Sequence, residues 1–434
     1  MRKSAPIVCL AMMLSVVGGA LWAAAPAPAG GQAAPAAATA ETSTVPSVPI
    51  VMGRTDYFVG ADISWIQQRE DQGQKYSDNG VTKDILTILK DHGFNYIRLR
   101  VFNDPTKPNK GNATAYSPQG YCDLPHTIAM AKRVKAAGMK LLIDFHYSDS
   151  WADPGKQYAP AAWVSLTNEE LAKTLHDWTK DSVTKLKDAG AMPDMVQVGN
   201  EITPGMMTDK GGTTRDWPQL AKYLKAGLTA VKEVDPKIMT MLHIDRGGDN
   251  PGARRWVDGA LGQGVEFDVL GLSCYSKWHG PPSGWKANFE DLSKRYPKIG
   301  FVMAEVDNQA TEANDIMMGL PDRRGLGTFI WEPEANNANQ ALFVQGGGGG
   351  GRGARGAGAV AAAGGGLAPA APAVTAPATT APATMAAGNP AGGSVATPAP
   401  ARGGRGGGGV VAVDPTKMVA YDKVLEKYGL KKLP

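Results

Sequence analysis

The sequence predicts an α/β protein folded as a (β/α)8 barrel, the TIM-barrel architecture. Short apolar or β-branched runs recur from Phe58 onward and alternate with stretches of helical periodicity. Eight such runs fit into about 280 residues, and this number favours a closed parallel barrel over an open sheet. No run is followed directly by a GxGxxG motif, which argues against a dinucleotide-binding sheet.

The predicted strands cover residues 58–63, 96–101, 140–145, 195–198, 238–243, 267–272, 300–304 and 327–330. Between them, the clearest helical patterns cover 124–137, 169–189 and 220–234. A last helix is predicted near the end of the chain, with Asp414 as N-cap, Pro415 at the first helical position and Gly429 as the stop. Its apolar face consists of Met418, Tyr421, Leu425 and Tyr428.

The first 50 residues are typical of an exported protein. Met1-Arg2-Lys3 precedes an apolar run that ends in alanines, which predicts a signal peptide over 1–25 with cleavage among 23–27. Retention as a membrane anchor is the alternative, but the run is short and broken by Gly18-Gly19. Residues 26–50 are rich in alanine and proline and predict a disordered leader. We therefore expect a secreted or periplasmic protein without a membrane segment after cleavage.

A second low-complexity segment covers 346–409 and carries glycine, alanine, proline and arginine but no acidic residue. We interpret it as a disordered insertion in the last βα loop, so that 51–345 form the catalytic barrel and 410–434 its final helix. The formal charge of +4 for the chain becomes −2 without this segment and Arg2-Lys3. A faintly acidic barrel argues against a nucleic-acid partner.

Cys9 would leave with the signal peptide, so that only Cys122 and Cys274 remain. They could pair in an oxidising compartment, but two cysteines are too few for a disulfide framework.

Polar residues follow the predicted strands, at the end where barrels of this kind place their catalytic groups. Glu201 and Glu305 end strands from opposite parts of the barrel, so we expect them to face each other across its mouth. Two such carboxyls suit glycoside hydrolysis, in which one protonates the leaving oxygen and the other attacks the anomeric carbon. A separation of about 5 to 5.5 Å would imply retention of configuration. The alternative is that either residue is an ordinary surface glutamate.

Aromatic residues at the strand ends could stack on sugar rings, although core packing is the alternative for each of them. They are Trp65, Trp151, Tyr275, Trp278, Trp285 and Trp331. Asp144, His146 and His243 could form a metal site, but no HxH or HExxH spacing supports one. We expect no cofactor or catalytic metal, and interpret both histidines as neutral members of a hydrogen-bond network.

Five longer motifs resemble glycoside hydrolase family 53, the arabinogalactan endo-β-1,4-galactanases. They cover residues 60–65, 95–101, 144–157, 196–202 and 331–333. The resemblance implies a retaining mechanism with Glu201 as acid/base and Glu305 as nucleophile. It also implies that Asn200 holds the sugar 2-hydroxyl, Arg98 supports the nucleophile and Trp331 forms the floor of the cleaving subsite.

The remaining residues that we expect to bind substrate are Asp62, Trp65, Asp144, His146, Asp149, Trp151, His243, Tyr275 and Trp278. The segment from Glu305 to Trp331 is short compared with the family, so a structural calcium site in that loop is not supported. The sequence thus predicts a monomeric endo-hydrolase of the polysaccharide β-1,4-galactan (type I arabinogalactan). Hydrolysis of another β-glycan and a non-catalytic carbohydrate-binding barrel are the alternatives.

Overall fold

The structure is a computed structural model that describes residues 51–334, 340–345 and 409–434. The predicted signal peptide, the leader and all but the last residue of the predicted insertion lie outside the described residues. These assignments therefore stay predictions.

Eight parallel strands close into a barrel, which confirms the predicted fold class. They are β1 (Phe58–Asp62), β4 (Tyr96–Val101), β5 (Lys140–Phe145), β6 (Met195–Val198), β7 (Met239–Ile244), β8 (Val269–Cys274), β9 (Gly300–Val306) and β10 (Gly325–Trp331). Their order around the barrel is β1-β10-β9-β8-β7-β6-β5-β4, and β1 pairs with β4 to complete the circle. All eight predicted strands are present, and β8 and β9 extend two residues beyond their predicted ends.

Helices cover the outside of the barrel. They are α1 (Ile66–Asp71), α2 (Ile85–Asp91), α3 (Leu124–Ala136), α4 (Asn168–Asp188), α5 (Trp217–Val234), α6 (Asn250–Gly262), α7 (Ser276–His279), α8 (Pro282–Arg295), α9 (Ala310–Met318) and α10 (Pro415–Tyr428). The local sequence explains where several helices begin. Asp123 caps the N-terminus of α3, and Thr167 and Glu170 form a capping box at the N-terminus of α4. No helix in the described ranges is long and apolar enough to cross a bilayer.

A small four-stranded sheet beside the barrel was not predicted. Its order is β11-β12-β2-β3, with β2 (Lys75–Asp78), β3 (Val81–Lys83), β11 (Phe343–Gln345) and β12 (Val410–Val413). The prediction that 410–434 form only a helix is therefore wrong for residues 410–413. These strands are three or four residues long, and β12 pairs with a strand more than 300 residues earlier, so no local pattern reveals them.

The helix α10 covers the barrel with the predicted face. Met418, Tyr421, Leu425 and Tyr428 are all buried, and Gly429 adopts φ +61°, the left-handed conformation that ends a helix. Cys122 and Cys274 are buried free thiols, so the structure does not support the disulfide alternative.

Candidate active site

Arg98 is the centre of a buried polar cluster at the carboxyl end of the barrel. Its guanidinium lies 3.0 Å from Asp62 Oδ2, 2.9 Å from Asp144 Oδ2 and 2.9 Å from Glu305 Oε1. It also donates to Asn200 Oδ1 at 2.8 Å. Burial alone would lower the pKa of Arg98. The negative charges of the three carboxylates outweigh this effect, raise the pKa and keep the guanidinium protonated.

Glu305 lies in β9, one residue before its end, and both of its carboxylate oxygens are held. Oε1 accepts from Arg98, and Oε2 accepts from the Tyr275 hydroxyl at 2.8 Å. Burial raises the pKa of Glu305, whereas Arg98 and Tyr275 act in the opposite direction by stabilising its anion. These contacts suit a carboxylate that must be ionised and fixed in one orientation.

Glu201 has different surroundings, because its side chain accepts a hydrogen bond from a hydroxyl group and not from a cation. Ser273 Oγ donates to Glu201 Oε1 at 2.6 Å. Burial, the charge of Glu305 and the charge of Asp245 raise the pKa of Glu201 well above its ordinary value. When the two glutamates share one proton, it therefore resides on Glu201, while Arg98 keeps Glu305 anionic.

The backbone around Glu201 is held in an unusual conformation. Glu201, three positions beyond the end of β6, has φ +46°, and Gly199, two residues before it, has φ +83°. Gln157 donates from Nε2 to the carbonyl oxygens of Asn200 and Glu201, at 2.7 and 3.3 Å. A left-handed non-glycine residue persists only where its surroundings impose it, and such residues cluster at functional sites.

His146, His243 and Asp144 belong to the same buried polar cluster as Arg98 and Asn200. His146 Nε2 lies 3.1 Å from Asp144 Oδ2, and His243 Nδ1 lies 3.0 Å from Asn200 Oδ1. Burial and then the Arg98 charge hold the pKa of His243 well below its usual range, so this imidazole is neutral. Although burial favours its protonated form, Arg98 and His146 lower the pKa of Asp144. All three side chains are buried, and within the described residues no group of histidine, cysteine and acidic side chains is arranged to hold a metal ion.

Asp62 and Asp149 differ in where the structure places them. Asp62 is buried at the end of β1 between Arg98 and Ser64 and belongs to the cluster. Asp149 instead accepts hydrogen bonds from the backbone amides of Asp104 and Ala161, at 3.0 and 2.7 Å. Asp149 therefore connects two loops by hydrogen bonds and is not part of the polar cluster around Arg98.

Aromatic side chains line one side of the mouth. The ring centroids of Trp151 and Trp331 are 6.0 Å apart, and those of Tyr275 and Trp331 are 6.4 Å apart. Trp65 lies 6.5 Å from Trp151. All four side chains are partly exposed, and Trp278, beyond β8, is 38% exposed.

Trp285 does not lie at the mouth with the other aromatic residues. Its side chain is 0% exposed in α8, and its Nε1 donates to the carbonyl of His279 at 3.0 Å. The core-packing alternative holds at this position.

Comparison with known protein families agrees with the fold and with the cluster at the barrel mouth. The sequence model described as glycosyl hydrolase family 53 matches residues 58–318, more than half of the chain. The chain belongs to this family.

Relatives and solved structures support the membership. An uncharacterised protein of Niallia circulans is 45% identical over 64% of this chain and 83% of its own. The endo-beta-1,4-galactanase of Bacillus subtilis is 35% identical over 64% of this chain and 70% of its own. The solved family 53 catalytic domain of Ignisphaera aggregans superposes with a TM-score of 0.61 at 33% identity, covering 69% of this chain and 93% of that domain.

Several residues in the site of this family 53 protein were not predicted from the sequence. Gln197 donates to Asp144 Oδ1 at 2.6 Å and accepts from Arg98, and Arg100 donates to Glu332 Oε1 at 2.6 Å. Arg100 also stacks 4.1 Å from the Trp151 ring centroid. The alternation of strand side chains could have revealed Arg100, since it shares a face with Arg98 two residues earlier.

Proposed function

We propose that this protein hydrolyses β-1,4-galactan (type I arabinogalactan) as a retaining endo-glycosidase. The observation that carries the proposal is the unequal environment of two buried glutamates at the barrel mouth. Glu305 is bound by Arg98 and Tyr275, whereas Glu201 is bound by Ser273 and faces negative charge. This difference supports Glu305 as the nucleophile and Glu201 as the acid/base.

In the first step Glu305 attacks the anomeric carbon, while protonated Glu201 gives its proton to the departing glycosidic oxygen. Arg98 favours this arrangement because it stabilises the Glu305 anion before attack. In the second step the ionised Glu201 takes a proton from water, which then displaces Glu305 from the glycosyl-enzyme and restores the original configuration.

The partly exposed aromatic side chains supply the binding surface for the polysaccharide. Trp65, Trp151, Tyr275, Trp278 and Trp331 offer flat apolar faces for the sugar rings. Asn200 Nδ2 donates to the carbonyl of Ala152, and its Oδ1 faces Arg98, so the amide is fixed in orientation beside the two glutamates. We assign Asn200 to the sugar 2-hydroxyl on that ground and on the family resemblance.

The choice of galactan rests on relatives whose names describe galactanases, including the arabinogalactan endo-beta-1,4-galactanase of Humicola insolens, 32% identical over 65% of this chain. Purified protein should release reducing ends from galactan and far fewer from mannan, xylan and glucan. Preferential release from another of these polymers would replace galactan as the substrate. Binding to galactan without release of reducing ends would favour a non-catalytic carbohydrate-binding barrel.

Three variants test the assignment of the two glutamates. Glu201→Gln and Glu305→Gln should each lower kcat on galactan by at least about 1,000-fold, and Glu266→Gln, an exposed glutamate, should leave it unchanged. Proton NMR of the first product released should show the β-anomer, as retention requires. An α-anomer would contradict the mechanism, and normal turnover by Glu201→Gln would contradict its role as acid/base.

The proposal also includes export after removal of residues 1–25, a monomeric state and no metal requirement. N-terminal sequencing of the exported protein should begin among residues 24–28. Light scattering should give the mass of one chain, and activity should survive EDTA. Loss of activity in EDTA that calcium restores would show that a metal site exists.

A further inference from the structure

Ser273 lies beside the carboxyl group that the proposed mechanism uses as acid and base. It is fully buried in β8, and its hydroxyl is 2.6 Å from Glu201 Oε1. A register shift between Leu272 and Ser273 places Ser273 opposite Glu305 of β9. Irregularities of this kind redirect a side chain within a sheet, and here the hydroxyl points to the acid/base.

His243 determines which way the Ser273 hydroxyl points. His243 Nε2 is 2.9 Å from Ser273 Oγ, and the backbone amide of Glu201 donates to His243 Nδ1 at 3.4 Å. Asn200 Oδ1 also lies 3.0 Å from Nδ1, but it already accepts from Arg98 at 2.8 Å, and Gln197 Nε2, which can only donate, lies 3.2 Å from Nδ1.

The neutral His243 ring therefore accepts at Nδ1 and carries its proton on Nε2, from which it donates to Ser273. Because this bond occupies a lone pair of the serine oxygen, the hydroxyl proton is directed to Glu201 Oε1. Because Glu201 Oε1 accepts the hydrogen bond from Ser273, the acidic proton of Glu201 is carried by Oε2. Oε2 is therefore the oxygen available for proton transfer.

We propose that Ser273, oriented by His243, is a positioning residue that selects Oε2 of Glu201 as the oxygen that transfers the proton in both steps. The inference rests on the proposed function and deepens it. In the first step the proton leaves Oε2 for the glycosidic oxygen, and in the second step Oε2 takes a proton from the attacking water. Ser273 Oγ keeps its own proton throughout.

The same hydrogen bond sets the acidity of Glu201. Glu305 from β9, Asp245 after β7 and Asp153 after β5 all face Glu201, and the negative charge of each raises its pKa. The Ser273 bond acts in the opposite direction because it stabilises the anion. Tyr275 also lies near both glutamates, with its hydroxyl bonded to Glu305.

Two pH profiles test the role of Ser273. The kcat/KM for galactan requires protonated Glu201 and falls at high pH, whereas kcat for an activated aryl galactoside requires the ionised base and falls at low pH. In Ser273→Ala both limits should move to higher pH by about one to two units, since a hydrogen bond to a charged group is lost. His243→Gln should move them in the same direction by less.

Ser182→Ala is the matched control, because Ser182 is also a buried serine but lies in α4 on the outside of the barrel. It should leave both pH limits in place. Unmoved limits in Ser273→Ala, or equal shifts in Ser182→Ala, would overturn the inference. If Ser273→Ala does not fold, the profile of His243→Gln decides by the same criterion. Full activity of Glu201→Gln would instead defeat the proposed function, so the two failures are distinguishable.

Discussion

Replacement of Arg98 by methionine tests whether one buried cation holds the active site together. Arg98→Met keeps a long apolar side chain but removes the charge that pairs with Asp62, Asp144 and Glu305. Removing one partner from a buried ion pair is destabilising by about 3–5 kcal/mol, because the remaining charge is left uncompensated. We expect a loss of this size in the free energy of unfolding near neutral pH, measured by urea denaturation with circular dichroism.

The loss should depend on pH in a defined direction. The folded-state pKa of Asp144 is below its unfolded value, so its ionisation stabilises the fold above the unfolded pKa, and this stabilisation is lost as the pH falls through the folded pKa. Without Arg98 the buried carboxyls take up protons more readily. The difference between wild type and Arg98→Met should therefore shrink as the pH falls from about 7 to about 4.

Arg133→Met is the matched control. Arg133 also contacts two carboxylates, Glu70 at 2.6 Å and Asp84 at 2.7 Å, but its side chain is 33% exposed. Water screens such pairs, so the expected loss is about 1 kcal/mol or less. Equal losses in the two variants, or a loss in Arg98→Met that does not change with pH, would refute the argument from burial.

Two further predictions concern the outer parts of the fold. Gly93 and Gly138 both have positive φ, but an added Cβ would lie 2.0 Å from Leu425 at Gly93 and would meet nothing within 4 Å at Gly138. Gly138→Ala should destabilise the fold by about 1–2 kcal/mol through backbone strain. Gly93→Ala should cost about 1–3 kcal/mol more, because its methyl group also overpacks against α10. Similar melting temperatures for the two variants would contradict this expectation. Replacement of residues 346–408 by Asn-Gly should keep Tm within about 3 °C, because Gln345 and Val411 are antiparallel partners that a short turn can join. Truncation after Asp414 should lower Tm by at least about 10 °C, since it uncovers the surface buried by α10; the reverse order of these two effects would show that α10 is dispensable.

Much of the fold was predictable because the signals are local. Each barrel strand is a short apolar run. The helices α4 and α10 each begin after a capping residue of a type that can be recognised in the sequence. Glu201 and Glu305 could be singled out for a related reason, since both follow or end apolar strands and parallel strands place their carboxyl ends on one face.

The roles of individual side chains depended on contacts between distant residues. Trp285 and Trp331 both follow strand signals, yet only packing places the first in the core and the second at the mouth. Asp149 lies in the same motif as Asp144, but its carboxylate turns to two backbone amides. A side chain's surroundings are not periodic in sequence, so no local pattern distinguishes these cases.

The sequence by itself determined the barrel, the last helix and the two glutamates, because periodicity, capping and strand ends are properties of neighbouring residues. Only the tertiary structure decided how the glutamates differ. Arg98 reaches Glu305 across 207 positions, and Ser273 reaches Glu201 across 72. Closure of the barrel gives one carboxylate a cation and the other a hydroxyl, and this unequal pairing supports the proposed division into a nucleophile and an acid.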